Sequence, residues 1–162
     1  GQVTEIRDNE GKSRALYNSF FPPPPADHGV PLGYEYPPPK FEYRPITNAQ
    51  ILRAIDKLHP YKAPGVDETS NSVFTHCKQF LVPHMGPIIR ATFQLEHYPH
   101  EWQISETVAL RKPGKPDYSA PKAFRPIALL NSFAKIASSC VAEDLTIAAE
   151  ELGMLPPNHF GG

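Results

Sequence analysis

Long apolar runs are missing from this 162-residue chain, and none approaches the roughly 18 residues a membrane-spanning helix needs. Cysteine is scarce: Cys77 and Cys140 lie far apart, with no C-x-x-C pair. That argues against a disulfide scaffold and favours reduced, buried thiols in an intracellular protein. The opening Gly1-Gln2-Val3-Thr4-Glu5 is polar and mixed in charge, unlike a secretory signal. Charge of one sign is not in excess either. A formal net charge of -1 excludes a uniformly basic nucleic-acid binder and leaves room for a local basic patch. No internal repeat is present. His97 and His100 form a pair with no third ligand nearby, and His76 and Cys77 point to opposite sides of one helix, so no zinc site is expected. Serines and histidines are scattered without a nucleophile elbow. The chain starts at glycine and stops at Phe160-Gly161-Gly162, so both ends read as cuts.

What is abundant is proline, 20 residues in all. Pro22 to Pro25, Pro31, Pro37 to Pro39 and Pro45 all precede Ile46. They can neither donate to a ladder nor continue a helix, so residues 1–45 read as a largely irregular, extended linker. A short helix over 13–20 is the exception, since Leu16, Phe20 and Phe21 need somewhere to pack. The four-proline run could meet an aromatic groove of a partner domain; a spacer between domains is the plainer reading.

From Ile46 the pattern is globular. Thr47 with Gln50 makes a capping box, and Ile51, Leu52, Ile55 and Leu58 follow at helical spacing until Pro60. A loop through Asp67 leads to a second helix with Val73, Phe74, Cys77, Phe80 and Leu81 inward. Pro83 and Pro87 are expected at the entrance of a third, carrying Ile88, Ile89, Phe93 and Leu95, with Arg90 on its surface. Trp102 anchors the connector that follows. An alternating stretch over 107–111 and a second over 125–130 read as the two strands of a hairpin. Asn131 or Ser132 caps a final helix with Ile136, Cys140, Val141 and Leu145 inward. On that helix Glu143-Asp144 and Glu150-Glu151 are expected to form a solvated face. The fold class is α+β, mainly helical with one β-hairpin.

The hairpin loop carries the chemistry. From the end of one strand to the start of the other come Arg111, Lys112, Lys115, Lys122 and Arg125, with Asp117 as the single acid. Pro113, Gly114, Pro116 and Pro121 keep the loop irregular. Such cations persist as a positive surface for a polyanion or a triphosphate, and a guanidinium at the base of the returning strand is rigidly aimed. By charge alone, a solvated turn that keeps an exposed hairpin soluble is an equal alternative.

Context adds to this. Leu110-Arg111-Lys112-Pro113-Gly114-Lys115-Pro116-Asp117-Tyr118, followed by Phe124-Arg125-Pro126-Ile127-Ala128-Leu129-Leu130-Asn131, resembles the first conserved block of reverse transcriptases from non-LTR, LINE-like retrotransposons. Lys62-Ala63-Pro64-Gly65-Val66-Asp67 looks like the K-A-P-G-x-D-G block that precedes it. Leu155-Pro156-Pro157-Asn158-His159-Phe160-Gly161-Gly162 looks like the start of the next. The proline-dense N-terminal segment is similar to the linker between endonuclease and polymerase in fungal elements of this kind. The resemblance covers 46–162 well and 1–45 loosely.

The resemblance implies the fingers subdomain of a right-hand polymerase, an incomplete domain truncated before the palm. The hairpin would close over the incoming deoxynucleoside triphosphate (dNTP), with Arg125 on phosphate and Lys112 or Lys115 as a second contact. Lys62, Gly65, Arg111 and Lys122 would face the RNA template or DNA primer. The complete enzyme would use Mg2+ and act in the nucleus. Two departures stand out: Glu68 replaces a glycine, where a side chain disfavours a positive-φ turn and a carboxylate is unwelcome beside nucleic acid, and His159 replaces a glutamine. The family's aromatic-x-Asp-Asp turn and its earlier aspartate are absent; Asp8, Asp27, Asp56, Asp67, Asp117 and Asp144 are each isolated. No catalytic or metal-ligating residue is therefore assigned, and nucleotidyl transfer is not expected of the chain alone. Other readings stay open: a non-catalytic nucleic-acid-binding module, a proline-rich interaction protein, or the remnant of a decayed element. Without palm strands to cover it, part of the 132–150 helix should be exposed and the chain only marginally stable.

Overall fold

In a computed structural model, residues 5–25 and 29–155 are described. Asp27 and the third block from Pro156 onward, His159 included, lie outside the described residues. Among those described there are five α-helices and one two-stranded sheet, an α+β arrangement. The chain divides into two compact units, Gly1–Tyr36 with Thr107–Ala128, and Pro37–Glu106 with Leu129–Gly162.

The first unit holds α1 (Asn9–Phe20), most of the hairpin β1 (Ser105–Arg111) and β2 (Phe124–Leu130), and a 3-10 turn, Pro121–Ala123, against which α1 lies. The helix starts earlier than the apolar residues require, because Asp8 accepts the Gly11 amide at 2.7 Å and caps it. None of its residues is fully buried. The proline stretch from Pro31 to Pro45 is irregular and exposed. Pro126 lies within β2, which a two-stranded sheet tolerates because each strand keeps an open edge.

The second unit carries the core. α2 (Asn48–Asp56) begins at Thr47 with the full capping box: the Gln50 amide donates to the threonine hydroxyl, and the glutamine carbonyl accepts the Thr47 amide at 2.9 Å. Ile51 and Ile55 from this helix join Ile46, Phe74, Val82, Met85, Ile89, Trp102, Ile136 and Cys140 in one buried cluster. Trp102, on the short α4 (His100–Gln103), packs its ring 4.9 Å from Phe133.

The expected second and third helices are one. α3 runs unbroken from Asn71 to Gln94 with Pro83 and Pro87 inside it. Each proline costs about 3 kcal/mol in a helix interior, which favours a break. Val82, Met85 and Ile89 are buried around and between them, and each returns about 1.5–3 kcal/mol. Both prolines are exposed, so the carbonyls they leave unbonded can reach water. The fused helix turns Phe74, Val82, Met85 and Ile89 to the core. Val73, Cys77, Phe80, Ile88 and Leu95, expected inward, fall on another stripe and are exposed.

Arg90 is not a bare surface residue. Its guanidinium donates to the Ile46 carbonyl at 2.9 Å and to Asn48 Oδ1 at 3.0 Å, tying α3 to the start of α2. Nor is the Glu143-Asp144 pair on α5 (Ser132–Glu151) merely solvated. Glu143 takes Arg53 and Lys57 from α2, and Asp144 accepts Gln50 Nε2 at 2.6 Å. The Arg53 guanidinium, working against desolvation and joined by Lys57, holds the Glu143 carboxyl below its usual range. Further along, Leu145 and Ile147 are about half exposed, so Leu145 corrects the inward assignment and the helix has an uncovered apolar face, as expected.

α5 is fixed at its start by the segment before α3. Asn131 accepts the amides of Phe133 and Ala134, and Asp67 Oδ2 accepts the Ser132 amide at 3.2 Å. The Ser132 hydroxyl, fully buried, donates to the Thr69 carbonyl and to Asn71 Oδ1, and Asn71 donates to the His59 carbonyl. Asp67 Oδ1 is the one buried side-chain polar atom without a partner among the described residues. It sits beside the positive end of the α5 dipole, which offsets the cost. Two residues earlier, Gly65 is pressed against the Leu130 carbonyl; an added Cβ would run into that carbonyl and lie 2.7 Å from the Asn131 nitrogen. Glu68 adopts φ 51°, the left-handed turn that a side chain disfavours.

Urea denaturation should therefore show Gly65→Ala destabilised by about 1–3 kcal/mol and Glu68→Gly stabilised by about 0.5–1 kcal/mol, the left-handed penalty less the glycine entropy. The thiols should separate too. Burial, aided by Glu143 and Asp144, pushes the Cys140 thiol up to about 11, whereas Cys77 is exposed. A thiol reagent at neutral pH should titrate Cys77 in the native chain and Cys140 only after denaturation.

Candidate nucleic-acid interface

The loop between the strands is held by its own side chains. The Lys112 amide donates to the Ala123 carbonyl at 2.9 Å, closing the neck. Inside it, half-buried Tyr118 makes three contacts. Its hydroxyl donates to the Lys112 carbonyl at 2.8 Å, its ring meets Phe124 edge-on at 6.0 Å, and the Arg111 guanidinium stands 5.0 Å over its face. The Lys112 ammonium donates to the Lys122 carbonyl at 3.1 Å.

These contacts sort the five cations. Arg111 is stacked on an aromatic ring, and Lys112 is bound to backbone across the neck. Lys115, Lys122 and Arg125 are exposed, and among the described residues no acid pairs with any of them. The one acid within the loop forms no ion pair with them: Asp117 accepts the Ser119 hydroxyl and the Ser119 amide, and these bonds hold its pKa below the usual carboxylate range. The loop thus keeps three unneutralised charges on a short, internally braced frame, a surface suited to phosphate oxygens.

Lys62 and Gly65 belong to the other unit. Lys62 is exposed, next to a turn in which its amide meets the His59 carbonyl, and Gly65 is buried against Leu130 and Asn131. Among the described residues no three His, Cys, Asp or Glu side chains converge. Each described aspartate has a structural partner: Asp8 caps α1, Asp56 pairs with Lys78, Asp67 caps α5, Asp117 holds Ser119 and Asp144 holds Gln50. These carboxylates do not fit a magnesium site. No described helix is long and apolar enough to cross a membrane.

A probable RNA-directed DNA polymerase from transposon BS of Drosophila melanogaster is 30% identical over 118 residues, which is 73% of this chain. A probable RNA-directed DNA polymerase from transposon X-element of the same fly is 26% identical over 117 residues, 72% of the chain. The polymerase of mobile element jockey from Drosophila funebris is 23% identical over 117 residues. This chain is similar to transposon RNA-directed DNA polymerases. It spans 13% of the length of each of these curated relatives. All three come from Drosophila, which gives the expected fungal source no support. No protein-family profile matches the chain.

Beside that similarity to transposon polymerases, the geometry adds a residue that the sequence reading passed over. That residue is Tyr118, and its signal in the sequence is a lone aromatic in a loop otherwise made of proline, lysine and small residues. The sorting of the cations also has a measurable side. Arg111→Ala removes a stacked guanidinium and should cost about 0.5–1 kcal/mol in denaturation. Arg125→Ala, which removes an unpaired charge, should stay within about 0.5 kcal/mol of the parent.

Proposed function

We propose that this chain is the fingers portion of a non-LTR transposon RNA-directed DNA polymerase. It grips the dNTP phosphates and the RNA template and DNA primer through the 111–125 hairpin. Arg125 is the leading phosphate contact, with Lys115 beside it and Lys122 on the template or primer side. Arg111 and Lys112 are placed first to brace the loop. Lys62 lies on the template side in the other unit, with Gly65 setting the turn behind it by packing. Among the described residues no carboxylate set gathers for two metal ions, and on this reading the chain contributes binding and not nucleotidyl transfer; magnesium belongs to the complete polymerase.

The observation that carries this reading is the trio Lys115, Lys122 and Arg125, which among the described residues form no ion pair, while the loop's one acid is bonded to Ser119. A turn that served only solubility would be served equally well by cations paired with acids. The similarity to transposon polymerases over about 70% of the chain supports the choice of polyanion.

Anisotropy titration of a fluorescein-labelled RNA-template and DNA-primer duplex tests it. Affinity should fall linearly with salt on logarithmic axes, and Arg125→Ala should lower that slope by about one. Absence of binding at 50 mM salt would sink the proposal. Primer extension by the chain alone in magnesium would overturn its non-catalytic part.

A further inference from the structure

Resting on that reading, we propose that Tyr118 is a positioning residue for the phosphate grip, acting through the loop and not by touching the nucleic acid. The three tyrosine contacts join both sides of the neck. Arg111 is the last residue of β1 and Phe124 the first of β2, and the tyrosine ring meets both. The hydroxyl reaches back six residues to the Lys112 carbonyl, whose own amide is bonded to Ala123. One side chain thereby closes the 112–123 loop from within. Lys115 lies between the residues it joins, and Lys122 is held by the Lys112 ammonium on its carbonyl.

The energetic consequence follows from preorganisation. A loop containing Pro113, Gly114, Pro116 and Pro121 has no ladder of its own beyond the neck, so without Tyr118 the stretch that carries Lys115 would lose its internal brace and be ordered more on binding. Ordering at that moment subtracts from affinity. Tyr118 moves that ordering into the unbound protein. A tyrosine stacked on bases would make a different prediction, because its ring would then be needed at the ligand and its hydroxyl would not matter.

The test uses the whole 162-residue chain and the same labelled duplex, with Tyr118→Phe and Tyr118→Ala. Tyr118→Ala should weaken binding about 3- to 10-fold with the salt slope unchanged, since no phosphate contact is lost. Tyr118→Phe, lacking only the hydroxyl bond, should weaken it about 2- to 5-fold. Hydrogen exchange at the Lys112 amide should quicken in both variants, most in Tyr118→Ala, while amides of Ile51 and Ile55 keep the parent rate. Unchanged Lys112 exchange overturns the positioning role whether or not the duplex binds. A slope lowered by about one in Tyr118→Ala, or full affinity in Tyr118→Phe with loss in Tyr118→Ala, overturns it in favour of direct contact. If the parent chain binds no duplex, the functional reading fails, and faster exchange then shows only a structural brace, which also overturns the proposal.

Discussion

The carboxylate of Asp67 at the first amide of α5 is the constraint on which the larger unit depends. It joins a loop to a helix 65 residues later in the chain, and the buried Ser132 and Asn71 finish the joint. Without it the four N-terminal donors of α5 would rely on Asn131 alone. The core then follows, because a fixed start for α5 sets the rotation that turns Ile136 and Cys140 toward Ile51 and Ile55. Gly65 makes the joint possible by letting two backbones meet where no Cβ fits. Glu68 is the price of the joint in this sequence, a side chain held in a turn better suited to glycine.

The two ends of α5 are held by different physics. At its start the bonds are buried and local to one joint. Toward its middle, Arg53 and Lys57 reach Glu143 across a partly wet surface, where ion pairs add little. Beyond Asp144 the apolar residues Leu145 and Ile147 are only about half covered. The helix thus grades from a firm N-terminus to a weakly held C-terminal half, and hydrogen-exchange protection should follow that gradient.

Much of this was legible in the chain. The capping box at Thr47, the period of Ile51 and Ile55, the anchoring Trp102 and the paired strands all rest on short-range rules, and the structure agrees with each. What the sequence hid was long-range. Pro83 and Pro87 look like a boundary until the burial of Val82, Met85 and Ile89 around them is known. Arg90 and Glu143 look solvated until their partners, more than 40 and 85 residues away, come into reach. In the candidate site the cations were plain to see, but not which of them were already engaged. That distinction depends on Tyr118 and Ser119, whose contacts no spacing rule announces.

Pro126 has a consequence beyond the hairpin. With the Lys112 amide bonded to Ala123, the alternation of an antiparallel ladder turns position 126 away from β1. The outer edge of β2 therefore lacks a donor at its midpoint. A second chain arriving edge-on would find its hydrogen-bond register interrupted there, so the strand is a poor template for cross-β growth. For a basic hairpin with an open strand edge, one imino acid provides a guard against self-association.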